Sequence, residues 1–279
     1  MMRAMPTAHN GDVEIYYESF GDDSDPTLVL VNGLGSQCIN YSVEWCELFV
    51  AEGYRVIRMD NRDTGLSSKL DDISYDTADM ANDVIAVLDA VGVAQAHVMG
   101  LSMGGMIVQQ LAIDHADRLL TMTSVMSRTG EPGFGDSTPE ALAFLMAPPA
   151  KTRDEYIENH VAALAVYGSK PEWLDDDVSR ARAAAAYDRC FCPQGIGRQM
   201  LAVMAGGSRD EALRKVDLPA LVLHGSRDTL IDPSGGRHTA DVIPNARYVE
   251  IEGMGHDYPP AVWKEWVSTW TSFVADVND

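Results

Sequence analysis

The sequence predicts an α/β protein whose mostly parallel sheet is flanked by helices and interrupted by a helical insertion. Short apolar runs alternate with helical patterns from residue 27 to residue 126. This alternation stops at Arg128 and resumes at Leu218. The third apolar run ends in a glycine-rich turn that contains Ser102, which is typical of a strand-to-helix connection that presents a serine.

Composition bounds the size of the core and the classes of partner. The chain has 279 residues, of which 46% are hydrophobic, enough for one large α/β domain or two smaller ones. Its 21 basic and 42 acidic residues give a net charge of −21. Such a field repels nucleic acid and anionic membranes, so we expect neither as a partner. An acidic surface favours solubility, and tolerance of high salt is the alternative.

The N-terminal segment and the cysteines favour a reducing compartment. Met1–Asn10 has no apolar stretch long enough for a signal peptide, and no segment approaches 18 unbroken apolar residues. We therefore expect a cytoplasmic protein. We interpret the cysteines as reduced packing residues with no zinc-site spacing: Cys38, Cys46, Cys190 and Cys192.

The first strands are predicted from their residue patterns. Glu14–Ser19 alternates polar and large residues before a turn at Gly21–Asp25, which indicates an early antiparallel hairpin. Thr27–Val31 is almost wholly apolar, as in a parallel strand covered on both faces. Tyr54–Met59 contains two arginines, which favours a position nearer an edge of the sheet.

The helices of the first half follow from apolar periodicity. Ser42–Ala51 is predicted to be a crossover helix, and Thr77–Val91 an amphipathic helix that Asp76 or Thr77 caps. Ala94–Met99 is the strand before the serine turn, and the helix after it extends to about Asp114. We expect these elements to alternate along one sheet.

The second half resumes the strand pattern after a long interruption. Strands are predicted at Leu120–Met126, Leu218–Leu223 and Ala246–Ile251, with a final amphipathic helix at Ala261–Val274. Residues 128–217 are instead alanine-rich, charged and divided by prolines.

These patterns divide the chain into two parts. Residues 1–127 and 218–279 are predicted to form the core, and residues 128–217 a helical lid inserted into it.

The turn Gly100-Leu101-Ser102-Met103-Gly104 predicts a nucleophile elbow. A serine hydroxyl reacts only when it is held out of the core beside a base. The turn forces Ser102 towards positive φ, where its crowded Cβ requires small neighbours at Gly100 and Gly104. The alternative, a helix N-terminus with Ser102 as an ordinary cap, does not explain the preceding strand or the later base and acid.

His256 is the predicted base, because it lies in the glycine-containing loop Glu252–Asp257 just after the last strand. We interpret the remaining histidines as structural, although any of them can line a pocket: His9, His97, His115, His160, His224 and His238.

Asp228 is the predicted acid that orients His256, because it leaves the carboxyl end of the strand Leu218–Leu223. Asp232 is its competitor, but Pro233 follows it and favours a turn or a helix cap. Asp257 is next to the base, and we interpret it as a surface or capping residue.

The oxyanion of the tetrahedral intermediate needs donors, and two backbone amides are candidates. Met103 N–H is supplied by the start of the helix. Leu34 N–H lies in the loop Asn32-Gly33-Leu34-Gly35, which follows a strand at the same edge of the sheet.

The chain order Ser102, Asp228, His256 resembles that of α/β-hydrolases over nearly the whole length of the chain. This resemblance implies the α/β-hydrolase fold, with a mostly parallel eight-stranded sheet and an inserted helical lid. Asn32 stands where the family usually has histidine, which leaves the backbone donor intact. Asp63 replaces a glycine in a turn that is structural in the family.

A narrower resemblance rests on Arg62–Gly65, Gly100–Gly104 and Gly253–His256, which are similar to the bacterial carboxylesterase subgroup that includes aclacinomycin methylesterase. The segments Pro193–Gly195 and Arg198-Gln199 also resemble hydrolases of this subgroup. The resemblance implies ester hydrolysis without assigning a substrate.

Together these features predict a serine esterase that needs neither metal nor cofactor and acts on a small hydrophobic ester as a monomer or homodimer. Other triad reactions on the same fold remain alternatives: thioester or lactone hydrolysis, carbon–carbon bond cleavage, acyl transfer and cofactor-free perhydrolysis. A non-catalytic receptor for small molecules is the alternative from another class. The acyl group, the leaving alcohol and the pathway are not encoded in any motif that we identify.

Overall fold

The computed structural model describes residues 6–71 and 73–278, in which the chain forms eight strands and ten α-helices. The strands are β1 (Thr7–Asn10), β2 (Val13–Phe20), β3 (Thr27–Val31), β4 (Arg55–Met59), β5 (Ala96–Leu101), β6 (Leu119–Val125), β7 (Ala220–Gly225) and β8 (Arg247–Ile251). The helices are α1 (Val43–Ala51), α2 (Thr77–Ala90), α3 (Met103–Asp114), α4 (Pro139–Leu145), α5 (Arg153–Tyr167), α6 (Asp176–Arg189), α7 (Pro193–Ala205), α8 (Asp210–Leu213), α9 (Ser234–Val242) and α10 (Pro260–Asn278). Residues 1–5, part of the segment that we expected to lack a signal peptide, lie outside the described residues.

The strands form one sheet in the order β1-β2-β4-β3-β5-β6-β7-β8. Strands β3 to β8 pair in parallel, whereas β2 is antiparallel to both β1 and β4. The predicted mostly parallel sheet is therefore confirmed.

The early hairpin differs from the prediction in its turn. Strands β1 and β2 pair from Thr7↔Tyr16 to Asn10↔Val13, and Gly11 turns with a φ of 59°. The turn at Gly21–Asp25 instead leads to β3, with which β2 does not pair. Because Thr7–Asn10 is short and polar, its strand was missed.

Two apolar layers cover the sheet, and β3 contributes to both. Val29 and Val31 pack with α2 and α3, whereas Leu28 and Leu30 pack with α1 and α10. The second layer contains a cluster of fully buried aromatic side chains: Trp45, Phe49, Trp266 and Trp270. Strand β3 is thus buried on both faces, as its sequence predicted.

Strand β4 lies one position nearer the edge than β3, yet both faces are covered. Its two arginines are buried because each has an acidic partner. Arg55 pairs with Asp23 at 2.9 Å, and Arg58 pairs with Glu18 of β2. The two arginines of β4 therefore indicate buried ion pairs and not an exposed strand.

Helices α4 to α8 lie between β6 and β7, and we call residues 128–217 the insertion. Leu213 and Val216, near its end, belong to the apolar layer that α2 and α3 cover, and Val203 of α7 packs against that layer. None of the described helices combines the length and apolarity that a membrane crossing requires.

Candidate active site

Ser102 occupies a strained turn between β5 and α3. Its backbone φ is 55°, a value that residues other than glycine rarely adopt. A Cβ at Gly100 would lie 2.1 Å from the Gly104 carbonyl oxygen, and one at Gly104 would lie 2.2 Å from the Val31 carbonyl oxygen. Both positions therefore require glycine, for the steric reason that the elbow motif predicts.

The carboxyl ends of four parallel strands bring the predicted residues to one edge. Ser102 N–H donates to the Val125 carbonyl at the end of β6, at 2.9 Å. Val125 is in register with Leu223 of β7, and Gly225 of β7 is in register with Ile251 of β8. Asp228 and His256 follow these two strands, so their loops lie at the same edge as the elbow.

Asp228 and His256 form a direct hydrogen bond, with 2.7 Å between Asp228 Oδ2 and His256 Nδ1. The competitor, Asp232, is exposed and accepts a hydrogen bond from Ser234 N–H at the start of α9. The structure therefore pairs Asp228, and not Asp232, with the histidine.

The Asp228 carboxylate is buried but fully hydrogen-bonded. Its Oδ1 accepts from the N–H groups of Leu230 and Ile231, both at 2.9 Å. Burial acts to raise the pKa of Asp228, but the charge of His256 and hydrogen bonds from His224 and His256 outweigh it and lower the pKa to about 2. An ionised acceptor makes His256 Nδ1 the donor and leaves Nε2 available as a base.

Ser102 and His256 both belong to the described residues, and no hydrogen bond joins Ser102 Oγ to His256. Contacts of this kind are often long in unliganded hydrolases and shorten when substrate binds. The loop that precedes α1 lies against the serine, because a Cβ at Gly33 would lie 3.3 Å from Ser102 Cβ and 3.8 Å from Ser102 Oγ.

The two predicted oxyanion donors follow Gly33 and Ser102 directly in the chain. Neither Leu34 N–H nor Met103 N–H donates a hydrogen bond to another described residue. Unpaired amides beside a nucleophile are suited to receive a developing negative charge. Leu34 is held from its other side, because Gly35 N–H donates to Gln199 Oε1 at 2.9 Å.

Gln199 is a residue of the site that the sequence analysis did not assign. It is fully buried in α7, and its Nε2 donates to the Arg62 carbonyl at 2.7 Å while its Oε1 binds Gly35. It therefore connects the loop Asn32–Gly35, which we call the oxyanion loop because it contains the predicted donor, to the turn after β4. The only signal in the sequence was the resemblance of Arg198-Gln199 to related hydrolases.

Asp63, which replaces a family glycine, keeps the glycine conformation with a φ of 71°. Its buried carboxylate accepts from Leu70 N–H and Tyr75 O–H and forms a bidentate pair with Arg198 of α7. The turn is structural, as expected, and in this chain it also anchors the insertion.

His224 is a second histidine beside the acid. It is fully buried in β7, and its Nε2 lies 2.8 Å from the Ile231 carbonyl oxygen and 3.3 Å from Asp228 Oδ2. We interpreted it as structural, and its position four residues before Asp228 was the available signal. It holds the acid loop as well as the strand.

Asp257 corrects one expectation. It is neither a surface residue nor a helix cap, because it is partly buried and its Oδ1 accepts from Ser169 N–H and Oγ–H of the insertion. Burial raises the pKa of Asp257, although the hydrogen bonds from Ser169 oppose the rise. The loop after β8 turns this side chain inward, towards the end of α5.

Metal-binding side chains are not clustered in the described structure. Within residues 6–71 and 73–278 no group of three His, Cys, Asp or Glu side chains is arranged to hold a metal ion. The four cysteines are free thiols, two of them fully buried.

Two aromatic residues of the insertion lie near the predicted site. The Tyr167 ring is edge-on to the His256 ring, with 6.1 Å between the ring centroids, and Phe191 lines a narrow cavity with Gly35. Met146 of the insertion is instead 62% exposed to solvent.

Comparisons with known proteins place the chain among hydrolases. The family described as alpha/beta hydrolase fold matches residues 26–258. The chain is 34% identical to rhodomycin D methylesterase DnrP of Streptomyces peucetius, over 92% of this chain and 94% of that protein. It is also 34% identical to rhodomycin D methylesterase DauP of Streptomyces sp. (strain C5), over 90% and 91% respectively. Among solved structures, esterase RhEst1 from Rhodococcus sp. ECU1013 is similar with a TM-score of 0.80 and 25% identity, covering 99% of this chain and 100% of that one.

Proposed function

Because this chain belongs to the alpha/beta hydrolase fold family, we propose that it is a serine hydrolase that cleaves carboxylic esters through an acyl-enzyme. The resemblance that the motifs indicated is confirmed by the family match and the methylesterase relatives. The single observation that carries the proposal is the hydrogen bond of 2.7 Å between His256 Nδ1 and Asp228 Oδ2, at the edge where Ser102 leaves β5.

The proposed reaction has two halves. His256 Nε2 takes the proton of Ser102 Oγ, which attacks the ester carbonyl, and the oxyanion binds Leu34 N–H and Met103 N–H. His256 then gives the proton to the leaving alcohol as the acyl-enzyme forms. Water enters and attacks the acyl carbon as His256 removes its proton, and His256 then returns a proton to Ser102 Oγ as the acid leaves. Asp228 stays ionised throughout, in keeping with its low pKa.

The insertion is proposed to act as the lid over this site. It reaches the oxyanion loop through Gln199 and the base loop through Ser169. Aromatic side chains of α5 and the α6–α7 connection, among them Tyr156 and Phe191, line the narrow cavity beside Gly35. Gln37, Asp63 and Thr64 border the other side of the cavity, so we propose that its aromatic side takes an uncharged, hydrophobic acyl group.

The relatives favour a small leaving alcohol. Two of them are named rhodomycin D methylesterases, and we extend only the chemical class, a carboxylic methyl ester, to this chain. The net charge of −21 disfavours anionic substrates, nucleic acid and anionic membranes. We propose a cytoplasmic enzyme that acts as a monomer or homodimer on a small-molecule ester.

A hydrolysis panel tests this function. Aryl and methyl esters graded by acyl length should be cleaved, with a burst of aryl alcohol when deacylation is slower than acylation. Thioesters, lactones, β-diketones and peroxide with acetate belong in the same panel, because the same triad can process them. A rate for one of these that exceeds every ester would replace ester hydrolysis with that reaction, and no turnover of any would favour a receptor.

A further inference from the structure

We infer that the insertion positions the catalytic base: Ser169 and Asp257 form a latch that holds the His256 loop in its working geometry. The inference rests on the proposed function, because it assigns Ser169 and Asp257 as positioning residues of the same site. It gives the insertion a part in the chemistry in addition to substrate choice.

Backbone hydrogen bonds join the two segments in order. Lys170 N–H donates to the Gly253 carbonyl at 2.9 Å, and His256 N–H donates to the Tyr167 carbonyl at 2.7 Å. Between them, Gly255 N–H donates to Ser169 Oγ at 3.0 Å. The amide of the base itself is therefore bound by the last residue of α5.

The side chains of the latch complete this connection. Ser169 N–H and Oγ–H both donate to Asp257 Oδ1, at 2.8 and 2.5 Å. Ser169 is 2% exposed, so its hydroxyl has no bulk water to replace a lost partner. Asp257 is next to His256 in the chain, which places these contacts on both sides of the base: one at Gly255 and one at Asp257.

Close packing leaves the loop little room to move. A Cβ at Gly255 would lie 2.2 Å from the Gly168 carbonyl carbon and 2.5 Å from the Tyr167 carbonyl oxygen. The backbones of the insertion and the loop are thus in direct contact. The edge-on Tyr167 ring, 6.1 Å from the His256 ring, borders the imidazole on the same side.

The end of α5 also contacts the acid loop. Thr229 Oγ1 donates to the Val166 carbonyl at 3.1 Å, one residue before the carbonyl that binds His256 N–H. The loops that contain Asp228 and His256 are therefore both hydrogen-bonded to the last turn of α5. Because proton transfer is sensitive to displacements of about 1 Å, loss of the latch should slow the reaction more than it weakens substrate binding.

The test uses substitutions at both latch positions in the full-length protein. Ser169→Ala removes the acceptor of Gly255 N–H and a donor to Asp257. Asp257→Ala removes the acceptor of both Ser169 bonds, whereas Asp257→Asn keeps an oxygen at that position. Thr152→Ala is the matched control: it removes the side chain that caps α5 at its other end, through Glu155 N–H, and leaves the latch intact.

The readouts are kcat and KM per active site, with sites counted by fluorophosphonate titration carried to completion for each variant, so that neither unfolded protein nor slower labelling distorts the count. Ser169→Ala and Asp257→Ala should lower kcat by up to about 100-fold with KM changed by less than about threefold. Asp257→Asn should recover most of the kcat that Asp257→Ala loses. Thr152→Ala should keep the wild-type kcat per site.

Three results would overturn the latch. If the wild type binds no fluorophosphonate and hydrolyses no ester, the proposed function fails and the latch with it. If the wild type is labelled but Ser169→Ala matches Thr152→Ala in kcat per site, the function stands and the latch does not. If Ser169→Ala does not fold, equal kcat for Asp257→Asn and Asp257→Ala rejects it instead.

Discussion

His224 and His256 contact the same carboxylate oxygen. His256 Nδ1 lies 2.7 Å and His224 Nε2 lies 3.3 Å from Asp228 Oδ2. The buried acid is therefore held between two imidazoles, and these contacts overcome the effect of burial on its pKa. Within the described residues His224 forms no hydrogen bond with the elbow, so its effect on Asp228 can be measured through the stability of the protein.

His224→Gln and His224→Leu should differ in a pH-dependent way. A glutamine can still donate to Asp228, whereas leucine cannot, so the glutamine variant should keep the pKa of Asp228 lower. A depressed carboxylate pKa contributes stability that is present at neutral pH and is lost as the pH falls through that pKa. We expect His224→Gln to be the more stable variant at pH 7, with the difference shrinking as the pH falls from about 4 to about 2 in urea unfolding. A difference that is constant with pH would show that His224 acts by packing alone.

Asp228→Asn should lower kcat by about 10⁴-fold while the protein remains folded, because an amide in this position favours the wrong tautomer of His256. Asp232→Asn is the control, since Asp232 contacts Ser234 N–H instead. Its kcat should stay within about threefold of wild type, as expected for an exposed turn residue. Steady-state hydrolysis and circular dichroism check both variants. A larger loss of kcat from Asp232→Asn than from Asp228→Asn would invalidate the assignment of Asp228 as the acid.

Asp63→Gly restores the family residue and should nevertheless destabilise the protein. It relieves strain of about 1 kcal/mol at positive φ. It also removes the acceptor of Arg198, Leu70 and Tyr75, and hydrogen bonds to a charged group contribute about 1.5–3 kcal/mol. Because several such hydrogen bonds are lost against one relief of strain, chemical denaturation should show a net loss of at least about 2 kcal/mol. Greater stability than the wild type would mean that the anchor of α7 contributes nothing.

The sequence predicted the strands and helices well wherever periodicity and local chemistry agreed. Thr27–Val31 has the predicted bounds, and Asp76 caps α2 as one of two candidates. Steric reasoning at Ser102 likewise required glycines that the structure shows to be needed. Such features depend on neighbours in the chain, which a single sequence contains.

Long-range partners account for what was not predicted. Asp257 looked like a surface residue because its partner, Ser169, is 88 positions away. The burial of Arg58 likewise depends on Glu18, 40 positions earlier in the chain. Gln199 binds Gly35 across 164 positions. No periodicity or motif joins such pairs, and only the fold brings them together.

Phe191→Ala should change the preference for acyl length. Phe191 lines the narrow cavity next to Gly35, so a smaller side chain enlarges the space for an acyl group. Phe134→Ala is the matched control, because Phe134 stacks on His238 with 3.8 Å between ring centroids. Relative kcat/KM across an aryl ester series should shift towards longer chains in the first variant and keep its order in the second. An unchanged order in Phe191→Ala would contradict the proposed lining.

Covalent labelling of Ser102 tests the central claim most directly. Intact-mass spectrometry after treatment with a fluorophosphonate should show one adduct on the wild type, because in the proposed reaction His256 activates a single serine at the strained turn. Ser102→Ala should show none and should lose turnover by about 10⁶-fold, the loss seen in other serine hydrolases without their nucleophile. An adduct that persists on Ser102→Ala, or a wild type that stays unlabelled, would contradict the account.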